Sequence, residues 1–496
     1  MNIPKEVLQI AQILKAAEHQ AYLVGGCLRD LLMDREPNDW DIATDALPAQ
    51  IQELFPDSVY ENEFGTVAVK TESEDLKLKL IEITTFREEE GYSNQRHPDS
   101  VQFTSEIEAD LSRRDFTINS LALSLAKEEK IIDPFEGQRD LNNKVIRSVR
   151  DPHERFGEDA LRLMRAVRLA AQLDFEIEEG TELAIKKNAH LLEKISKERI
   201  RIELEKLILS PRAAKGIESM QRLGLLKYVI PELEEGLDME QNMHHIYSVF
   251  EHNLKSLEYA AKEGYPLEIR LAALLHDVGK PKSRRWKSDE RGQKEKEGDK
   301  GDWTFYGHQV VGGRMAEKIL SRLTFPKKVI DKVSKLVYEH MFVYDPDIVT
   351  LSGVRRLLSR IGEENVDALM QLRQADRIGS GVPKAQPYRL RHLMAMIEKV
   401  KTDPISVKML KINGEDLNKD LNIPPGPLYG QILDILLAEV LEDPKSNKKK
   451  HLLSRAQDLA GLKTEELDKL RNQSRQNAEQ AQESIDNEIK KKYFVQ

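Results

Sequence analysis

The sequence predicts an α+β protein with a strand-bearing N-terminal head and an almost entirely helical body. Short β-like runs alternate with helical segments up to about residue 145. From about residue 146 the apolar residues recur at helical spacing. Strands in one part of a chain and helices in the rest are typical of the α+β class. The 496 residues are enough for three or four domains with substantial cores.

The composition is that of an intracellular globular protein. Hydrophobic residues make up 40% and charged residues 32% of the chain, which excludes a disordered or membrane-embedded class. No apolar run reaches the ~20 residues that a membrane span needs, and the amphipathic N-terminus lacks the features of a signal peptide. The single cysteine, Cys27, excludes an intrachain disulfide framework and favours a reducing compartment. We therefore expect a cytoplasmic protein.

The net charge does not decide whether the protein binds nucleic acid. A value of −9 argues mildly against it, but phosphate contacts need only a local basic surface. Residues 186–201 and 445–450 are rich in lysine and arginine and are candidates for that surface. A solvated helix face is the alternative for each of them.

The clearest pattern in the head is a strand, a glycine turn and a helix, followed by two carboxylates. The apolar strand ends in Gly25 and Gly26, where backbone can approach a phosphate. Arg29 follows on the helix and is placed to contact the same phosphate. Asp39 and Asp41 are two apart on the next strand, so both carboxylates point to one face. Such oxygen-rich pairs hold Mg²⁺, which predicts a metal site here.

A stripe of charged residues marks the start of the body. Asp159, Arg162 and Arg165 are three residues apart, and Arg168 continues the series. This spacing predicts that the four side chains lie along one side of a helix, beside an apolar stripe that faces the core. One Asp–Arg pair on a helix is normally a surface ion pair worth under ~1 kcal/mol. Four such groups in series indicate a functional surface.

Together, these motifs resemble the bacterial and eukaryotic class of CCA-adding enzymes and their poly(A) polymerase relatives, in the polymerase-beta-like nucleotidyltransferase superfamily. The matching motifs arrive in family order and cover about residues 23 to 225: GG-x-x-RD with D-x-D, TTFR, RRDFTIN, DPF-x-G and ED-x-x-R-x-x-R. The resemblance implies that Asp39 and Asp41 bind the catalytic Mg²⁺ ions and that Asp159 and Arg162 recognise the base. It also implies a set of nucleotide-binding residues: Gly26, Arg29, Arg114, Arg165 and Arg168.

The implied base recognition is chemically reasonable. Cytosine and adenine both present an amino donor beside a ring-nitrogen acceptor, which suits a carboxylate and an arginine. Guanine and uracil present a carbonyl and a protonated ring nitrogen instead. Protein side chains can therefore replace a template strand. The expected reaction is attack of the tRNA 3′-hydroxyl on the α-phosphate of CTP or ATP, with release of pyrophosphate.

A segment between the head motifs bears on which nucleotides are added. Residues 84–103 are similar to the flexible loop with which the family switches from C to A addition. The matching positions are Gly91, Tyr92, Arg96 and Pro98, while Asn94 stands where aspartate is common. The loop favours complete CCA addition or addition of the terminal A alone, and the sequence does not separate these two. A poly(A) polymerase is a further alternative.

A second constellation, of histidines and aspartates, lies in the body. The doublet His276–Asp277 ends an apolar helix, and His252 lies about one helix earlier. The remaining candidates follow later in the chain: His308, His340 and Asp376. Imidazoles and carboxylates can hold one or two divalent metals and activate a bound water as nucleophile.

This set resembles the HD phosphohydrolase superfamily across about residues 240 to 380. The resemblance implies the core ligands His252, His276, Asp277 and Asp376, with His308 and His340 able to complete a second metal site. Some CCA-adding enzymes carry such a domain and hydrolyse phosphate esters or cyclic phosphodiesters. We therefore expect an active HD domain, with a helical scaffold that has lost activity as the alternative. The metal and the substrate stay open.

Four domains are expected. They are a catalytic head (1–145), a neck that binds the nucleotide base and RNA (146–225), an HD domain (226–400) and a C-terminal body that binds tRNA (401–496). Residues 471–496 form either a solvated helix or a frayed tail. An HD phosphohydrolase with a degenerate head and a non-catalytic RNA-binding protein are competing functions. The intact pair of carboxylates, Asp39 and Asp41, argues against the first, and the presence of two complete metal constellations in one chain argues against the second. The oligomeric state is not predicted.

Overall fold

The computed structural model describes most of the chain, in two compact units. The described residues are 1–62, 65–90, 100–125, 130–241, 246–286, 303–342, 344–346, 350–402, 410–442 and 444–495. Unit 1 comprises residues 1–341 and 371–383, and unit 2 comprises residues 342–370 and 384–496.

Unit 1 begins with a head built on a mixed seven-stranded sheet. The head strands are β1 (Tyr22–Val24), β2 (Asp41–Thr44), β3 (Ser58–Asn62), β4 (Thr66–Lys70), β5 (Leu80–Thr85), β6 (Arg87–Glu90), β7 (Ser100–Phe103), β8 (Ala122–Ser124) and β9 (Ile131–Ile132). The sheet order is β3–β4–β5–β2–β1–β8–β9, while β6 and β7 form a separate antiparallel pair. Strands β2 and β5 run parallel, and the other neighbours in the sheet run antiparallel. The strands expected from the apolar runs are therefore present.

Five helices belong to the head. They are α1 (Lys5–Ala16), α2 (Gly25–Leu32), α3 (Pro48–Leu54), α4 (Ile107–Ser112) and α5 (Gly137–Asn143). Apolar side chains of the central strands and of α4 form a buried cluster that includes Val24, Ala43, Phe86, Ile107, Leu111 and Ala122. This core fixes the central strands, whose ends carry the candidate site.

The remainder of unit 1 is helical, as the apolar spacing predicts. Its helices are α6 (Pro152–Glu158), α7 (Leu161–Leu173), α8 (Glu179–Asn188), α9 (Lys197–Ile208), α10 (Ala213–Arg222), α11 (Leu226–Val229), α12 (Val249–Lys262), α13 (Leu267–Leu275), α14 (Lys280–Ser283), α15 (His308–Arg322) and α16 (Lys327–Glu339). Two short strand pairs interrupt them: β10 (Val145–Ile146) with β11 (Glu176–Ile177), and β12 (Arg285–Trp286) with β13 (Trp303–Thr304).

One buried arginine joins the neck helices to those that follow. Arg270 on α13 donates to the carbonyls of Ile208 (3.0 Å) and Ser210 (3.1 Å) at the end of α9. The last carbonyls of a helix have no partner within the helix, so a cationic side chain that donates hydrogen bonds to them stabilises the helix end.

Unit 2 is also helical. It contains α17 (Leu351–Ile361), α19 (Tyr388–Thr402), α20 (Gly414–Leu421), α21 (Pro427–Glu442), α22 (Lys449–Ala460) and α23 (Thr464–Tyr493), while α18 (Val366–Gly379) spans the boundary between the units. Residues such as Leu417, Ile432, Leu436 and Leu452 form its core. Residues 471–493 are helical and belong to α23. Among the described residues, no helix combines the length and apolar composition that crossing a bilayer requires.

We expect Phe86→Ala to destabilise the head by about 3–5 kcal/mol, because it removes a fully buried ring from the core cluster and leaves a cavity. The measurement is urea denaturation of the full chain followed by tryptophan fluorescence. Leu76→Ala, at a side chain that is 80% exposed, is the control and should change the free energy of unfolding by less than about 0.5 kcal/mol. Equal effects of the two substitutions would contradict the placement of Phe86.

Candidate nucleotide and metal sites

The head site forms where β1 ends and β2 begins. The two strands pair antiparallel with Leu23 opposite Ile42, so the glycine turn after β1 lies next to the first residue of β2. A Cβ built on Gly25 would be 3.2 Å from Asp41 Oδ2 and 3.2 Å from Arg114 Nη1. Gly25 also has a φ of +73°, which side-chain-bearing residues rarely adopt. Only glycine therefore suits this turn, and helix α2 starts directly from it.

The two predicted carboxylates lie together at this point. Asp41 is the first residue of β2, and the exposed Asp39 precedes the strand instead of belonging to it. Burial, the negative charge of Asp39 and that of Glu82 raise the pKa of Asp41 to about 7, against the opposing charge of Arg114. Concentrated negative charge of this kind is relieved by a divalent cation.

Glu82 is a third carboxylate that the sequence prediction missed. It lies on β5 directly opposite Asp41 in the parallel pairing of β2 and β5. The available signal in the sequence was a glutamate between Ile81 and Ile83 in an apolar run. In the structure both isoleucines are buried and the glutamate is exposed. Its relation to Asp41 depends on strand register, which the sequence pattern does not give.

The predicted phosphate-binding arginines of the head are held by nearby polar groups. Arg29 on α2 donates from Nη1 to Asn119 Oδ1 at 2.9 Å. Arg114 donates from Nη2 to Asp110 Oδ2 at 3.0 Å and also lies beside the Gly25 turn. Gly26 is in the first turn of α2, where an added Cβ would be 3.7 Å from Arg29 Nη2. These residues therefore surround the same strand ends as the carboxylates.

The neck helix α7 attaches its arginines to the adjacent head segment. Arg165 donates to Asp115, with Nη2 at 2.6 Å from Oδ2. Burial opposes ionisation of Asp115, yet the Arg165 guanidinium holds the pKa of this carboxyl well below its usual range. Arg162 Nη2 donates to the carbonyl of Arg113 at 3.1 Å. These contacts join the neck to the segment that contains Arg114.

The expected stripe along one helix is wrong for Asp159. Helix α7 begins at Leu161, and Asp159 lies in an extended link between α6 and α7. Asp159 Oδ1 accepts from the Leu161 amide at 3.1 Å. Aspartate side chains compete for backbone amides in this way and so favour the end of a helix over its interior. The apolar stripe is confirmed, since Leu161, Met164 and Val167 are buried.

Arg162 and Arg168, like Arg165, lie on α7, and both are buried. Arg162 Nη1 donates to Glu158 Oε2 at 2.7 Å and to the carbonyl of Arg155 at 3.0 Å. Arg168 Nε donates to Glu203 Oε2 on α9 at 2.5 Å. Burial lowers the pKa of Arg168, and the charge of Glu203 opposes that shift. The arginines of α7 are thus fixed by acidic partners and do not form a free basic surface.

Members of the two basic stretches are also paired with acids. In residues 186–201, Lys186 pairs with Glu182 at 3.0 Å and Arg201 with Glu205 at 2.7 Å. In the second stretch, Lys449 pairs with Asp416 at 2.6 Å. The positions expected in the switching loop (Gly91, Tyr92, Asn94, Arg96 and Pro98) lie outside the described residues.

A second site, the His/Asp cluster, consists of six side chains: His252, His276, Asp277, His308, His340 and Asp376. The structure brings together all six, which come from α12, the end of α13, the start of α15, the end of α16 and α18. His252 Nε2 lies 2.8 Å from His276 Nε2, and His308 Nε2 lies 3.3 Å from His340 Nε2. Asp277 stands between these pairs, with Oδ2 at 3.3 Å from His252 Nε2 and Oδ1 at 3.2 Å from His308 Nε2. The cluster therefore offers two ligand groups that share Asp277.

Backbone carbonyls orient three of these imidazoles. The Nδ1 atoms of His276, His308 and His340 each bond to the carbonyl three residues earlier, at 2.9, 2.8 and 2.6 Å. Such bonds fix the ring and leave Nε2 free to bind a metal. A Cβ on Gly279 would overlap the carbonyl oxygen of His308, so this glycine lets the His–Asp doublet approach α15.

The cluster concentrates buried charge. Asp277 is 2% exposed, and burial alone would raise its pKa. The Lys280 ammonium, with Nζ 2.6 Å from Asp277 Oδ2, and the surrounding histidines hold that pKa well below its usual range. Desolvation lowers the pKa of His340 to about 3, whereas hydrogen bonds to Asp277 and Asp376 raise that of His252 to about 9 despite its burial. Nitrogen and carboxylate donors in this arrangement suit a transition-metal ion.

Three family models match the chain in the order head, neck and HD domain. They are "Poly A polymerase head domain" over residues 21–147, "Probable RNA and SrmB- binding site of polymerase A" over residues 174–237 and "HD domain" over residues 249–379. The last match contains every residue of the His/Asp cluster.

The similar proteins include curated enzymes and a solved structure. The CCA-adding enzyme of Ligilactobacillus salivarius is 33% identical over 469 residues, 92% of this chain and 98% of that enzyme. The CCA-adding enzyme of Limosilactobacillus reuteri is 46% identical over 226 residues, 45% of this chain and 54% of that enzyme. The crystal structure of the Bacillus stearothermophilus CCA-adding enzyme in complex with CTP has a TM-score of 0.60 and 28% identity, covering 92% of this chain and 98% of that one.

The raised pKa of Asp41 predicts a pH-dependent cost to stability. The pKa of this carboxyl in the folded state, about 7, exceeds its usual value, so its ionisation destabilises the folded protein. The free energy of unfolding is therefore highest when the carboxyl is protonated and falls as the pH rises towards 7. Asp41→Asn should therefore gain stability over the wild type between pH 4 and 7, and the gain should level off above that. Urea denaturation in EDTA at several pH values measures it. Asp57→Asn, at an exposed position, is the control, and a gain independent of pH would contradict the assignment.

Proposed function

Because the chain belongs to the family of CCA-adding enzymes, we propose that it adds C, C and A from CTP and ATP to the 3′ end of tRNA. The single observation that carries the proposal is the head site, where a Cβ built on Gly25 would be 3.2 Å from Asp41 Oδ2 and 3.2 Å from Arg114 Nη1. The similarity to the Ligilactobacillus salivarius enzyme extends over 98% of its length, which supports the whole activity.

The carboxylates of the head site fit Mg²⁺. Asp39 and Asp41 would hold it, with Glu82 beside them, because carboxylate oxygens are the donors that this hard cation prefers. Bound Mg²⁺ supplies charge stabilisation at the reacting phosphate and lowers the pKa of the attacking hydroxyl. The amides at the start of α2 and the guanidinium of Arg114 would bind the triphosphate.

The reaction replaces a phosphoanhydride bond with a phosphodiester bond. The tRNA 3′-oxygen forms a bond to the α-phosphorus, the bond from that phosphorus to the bridging oxygen of the β-phosphate breaks, pyrophosphate leaves, and the hydroxyl proton passes to solvent. The protein contributes in-line positioning and charge stabilisation. Arg29, Arg165 and Arg168 would complete the nucleotide site with Gly26.

Base selection is assigned to Asp159 and Arg162. The Asp159 carboxylate would accept from the exocyclic amine of cytosine or adenine, and Arg162 would donate to the ring nitrogen. Glu158 supports this by holding Arg162 at 2.7 Å. Addition of the terminal A alone, or of a poly(A) tail, would use the same residues.

The remaining assignments follow from the same family. We keep the expected division into head (1–145), neck (146–225), HD domain (226–400) and a C-terminal body that binds tRNA (401–496). The single buried cysteine, Cys27, suits the cytoplasm.

The test uses three tRNA transcripts, ending at the discriminator base, after C and after CC, with Mg²⁺, CTP and ATP. We expect all three to be extended to CCA, and Asp41→Ala to abolish extension because it removes a metal ligand. Asp57→Ala, which removes an exposed carboxylate of the head, is the matched control and should stay active. Extension of only the CC-ending transcript would mean addition of A alone, and long tails would mean a poly(A) polymerase. No extension of any transcript would refute the proposal.

The His/Asp cluster supports a second activity, hydrolysis of phosphate esters. Its six side chains come from distant parts of the sequence, are largely buried and present paired Nε2 atoms around Asp277. One or two transition-metal ions held by His252, His276, Asp277 and Asp376, with His308 and His340, would activate water for attack at phosphorus. A helical scaffold without activity would not require such convergence.

We expect Mn²⁺- or Co²⁺-dependent hydrolysis of bis(p-nitrophenyl) phosphate or of p-nitrophenyl phosphate. Asp277→Asn should abolish it, since Asp277 is shared by both ligand groups, and should leave nucleotide addition intact. His190→Ala, at an exposed histidine, is the control. Hydrolysis that survives Asp277→Asn would contradict this assignment.

A further inference from the structure

The extended link before α7 is held by an arginine from α9. Arg199 Nη2 lies 2.8 Å from Asp159 Oδ2. The two side chains are 23% and 18% exposed, so the pair is largely screened from water. Arg199 belongs to the basic stretch 186–201, yet it points to Asp159 instead of forming an open phosphate-binding surface.

Both oxygens of Asp159 are thereby engaged. Oδ1 accepts from the Leu161 amide and Oδ2 accepts from Arg199. One donor belongs to the backbone at the start of α7 and the other to α9, so together they fix the carboxylate plane. A carboxylate has about four acceptor sites, which leaves capacity for a further donor such as a base amine.

Helix α9 also holds a second residue of the proposed nucleotide site. Glu203, one turn after Arg199, accepts from Arg168 at 2.5 Å. The guanidinium Nη1 of Arg199 is enclosed by protein and has no hydrogen-bond partner among the described residues. The carboxylate of Asp159 therefore balances the charge of the partly buried Arg199 guanidinium. Because an unpaired buried charge is costly, this pairing has few alternatives.

We propose that Arg199 is a positioning residue that sets base selectivity by fixing Asp159, an inference that rests on the proposed function. Cytosine and adenine require the carboxylate at the amine and the arginine at the ring nitrogen. Uracil and guanine present a carbonyl and an N–H at those positions, so the same two side chains in exchanged places would pair with them. Selectivity then depends on where the carboxylate is held, and Arg199 holds it.

The experiment uses the full chain with Arg199→Ala and Arg199→Lys. The matched control is Arg201→Ala, since Arg201 lies on the same helix and its ion pair among the described residues is with Glu205 along that helix, at 2.7 Å. For each variant, kcat and KM are measured for all four nucleotides on a tRNA transcript. The dissociation constants of CTP and UTP are measured separately, without tRNA, and the melting temperature is recorded.

Loss of a charge-assisted hydrogen bond predicts that Arg199→Ala lowers kcat/KM for CTP and ATP on the order of 10- to 100-fold. The kcat/KM values for UTP and GTP should fall less. The preference for CTP over UTP should therefore decrease, both in kcat/KM and in the dissociation constants. Arg199→Lys should recover much of the ratio, because it keeps a cation beside Asp159, and Arg201→Ala should match the wild type.

An unchanged CTP/UTP ratio in Arg199→Ala, with all four nucleotides affected in proportion, would overturn the proposal, since it would show a merely structural role. If Arg199→Ala does not fold, Arg199→Gln takes its place, because it removes the charge and keeps more of the side chain. A smaller CTP/UTP ratio in Arg199→Gln supports the proposal, and an unchanged ratio overturns it. A wild type that binds CTP in preference to UTP but extends no tRNA would refute the proposed function alone, and the binding ratios would still test Arg199.

Discussion

The antiparallel pairing of β1 with β2 is the constraint on which the head site depends. It brings the turn after one strand against the first residue of the next, and the space that remains admits only a glycine. The glycine turn at the start of α2 and the carboxylate of Asp41 are thereby placed side by side. The parallel pairing of β2 with β5 adds Glu82 to the same edge. A buried core beneath the strands keeps this edge rigid.

Ion pairs connect the head to the neck and link elements within the neck. Arg165 with Asp115, Arg168 with Glu203 and Asp159 with Arg199 each link different elements. Desolvated charges are costly unless they are paired, so each pair tolerates few alternative arrangements. The arginines of these pairs are therefore held in fixed positions and do not form an exposed basic surface.

The His/Asp cluster follows a different principle. Its side chains are nearly all buried, and the backbone itself orients three imidazoles through carbonyls three residues earlier. Because these bonds fix the ring planes, the Nε2 atoms are held towards the centre of the cluster. The two sites lie in one compact unit but differ in their side chains, which are carboxylates in the head and imidazoles together with carboxylates in the cluster.

Local signals in the sequence determined the strands of the head, the helical body and nearly every candidate residue. Glycine, paired carboxylates and histidines report chemistry through their type and spacing. The tertiary structure alone decided that Asp159 lies before α7 instead of continuing its stripe, that Glu82 lies opposite Asp41, and that Arg199 pairs with Asp159. The first depends on a local bond from the backbone to an aspartate side chain, which competes with the helix. The other two depend on strand register and on a contact between residues 40 apart, and sequence periodicity carries no information about either.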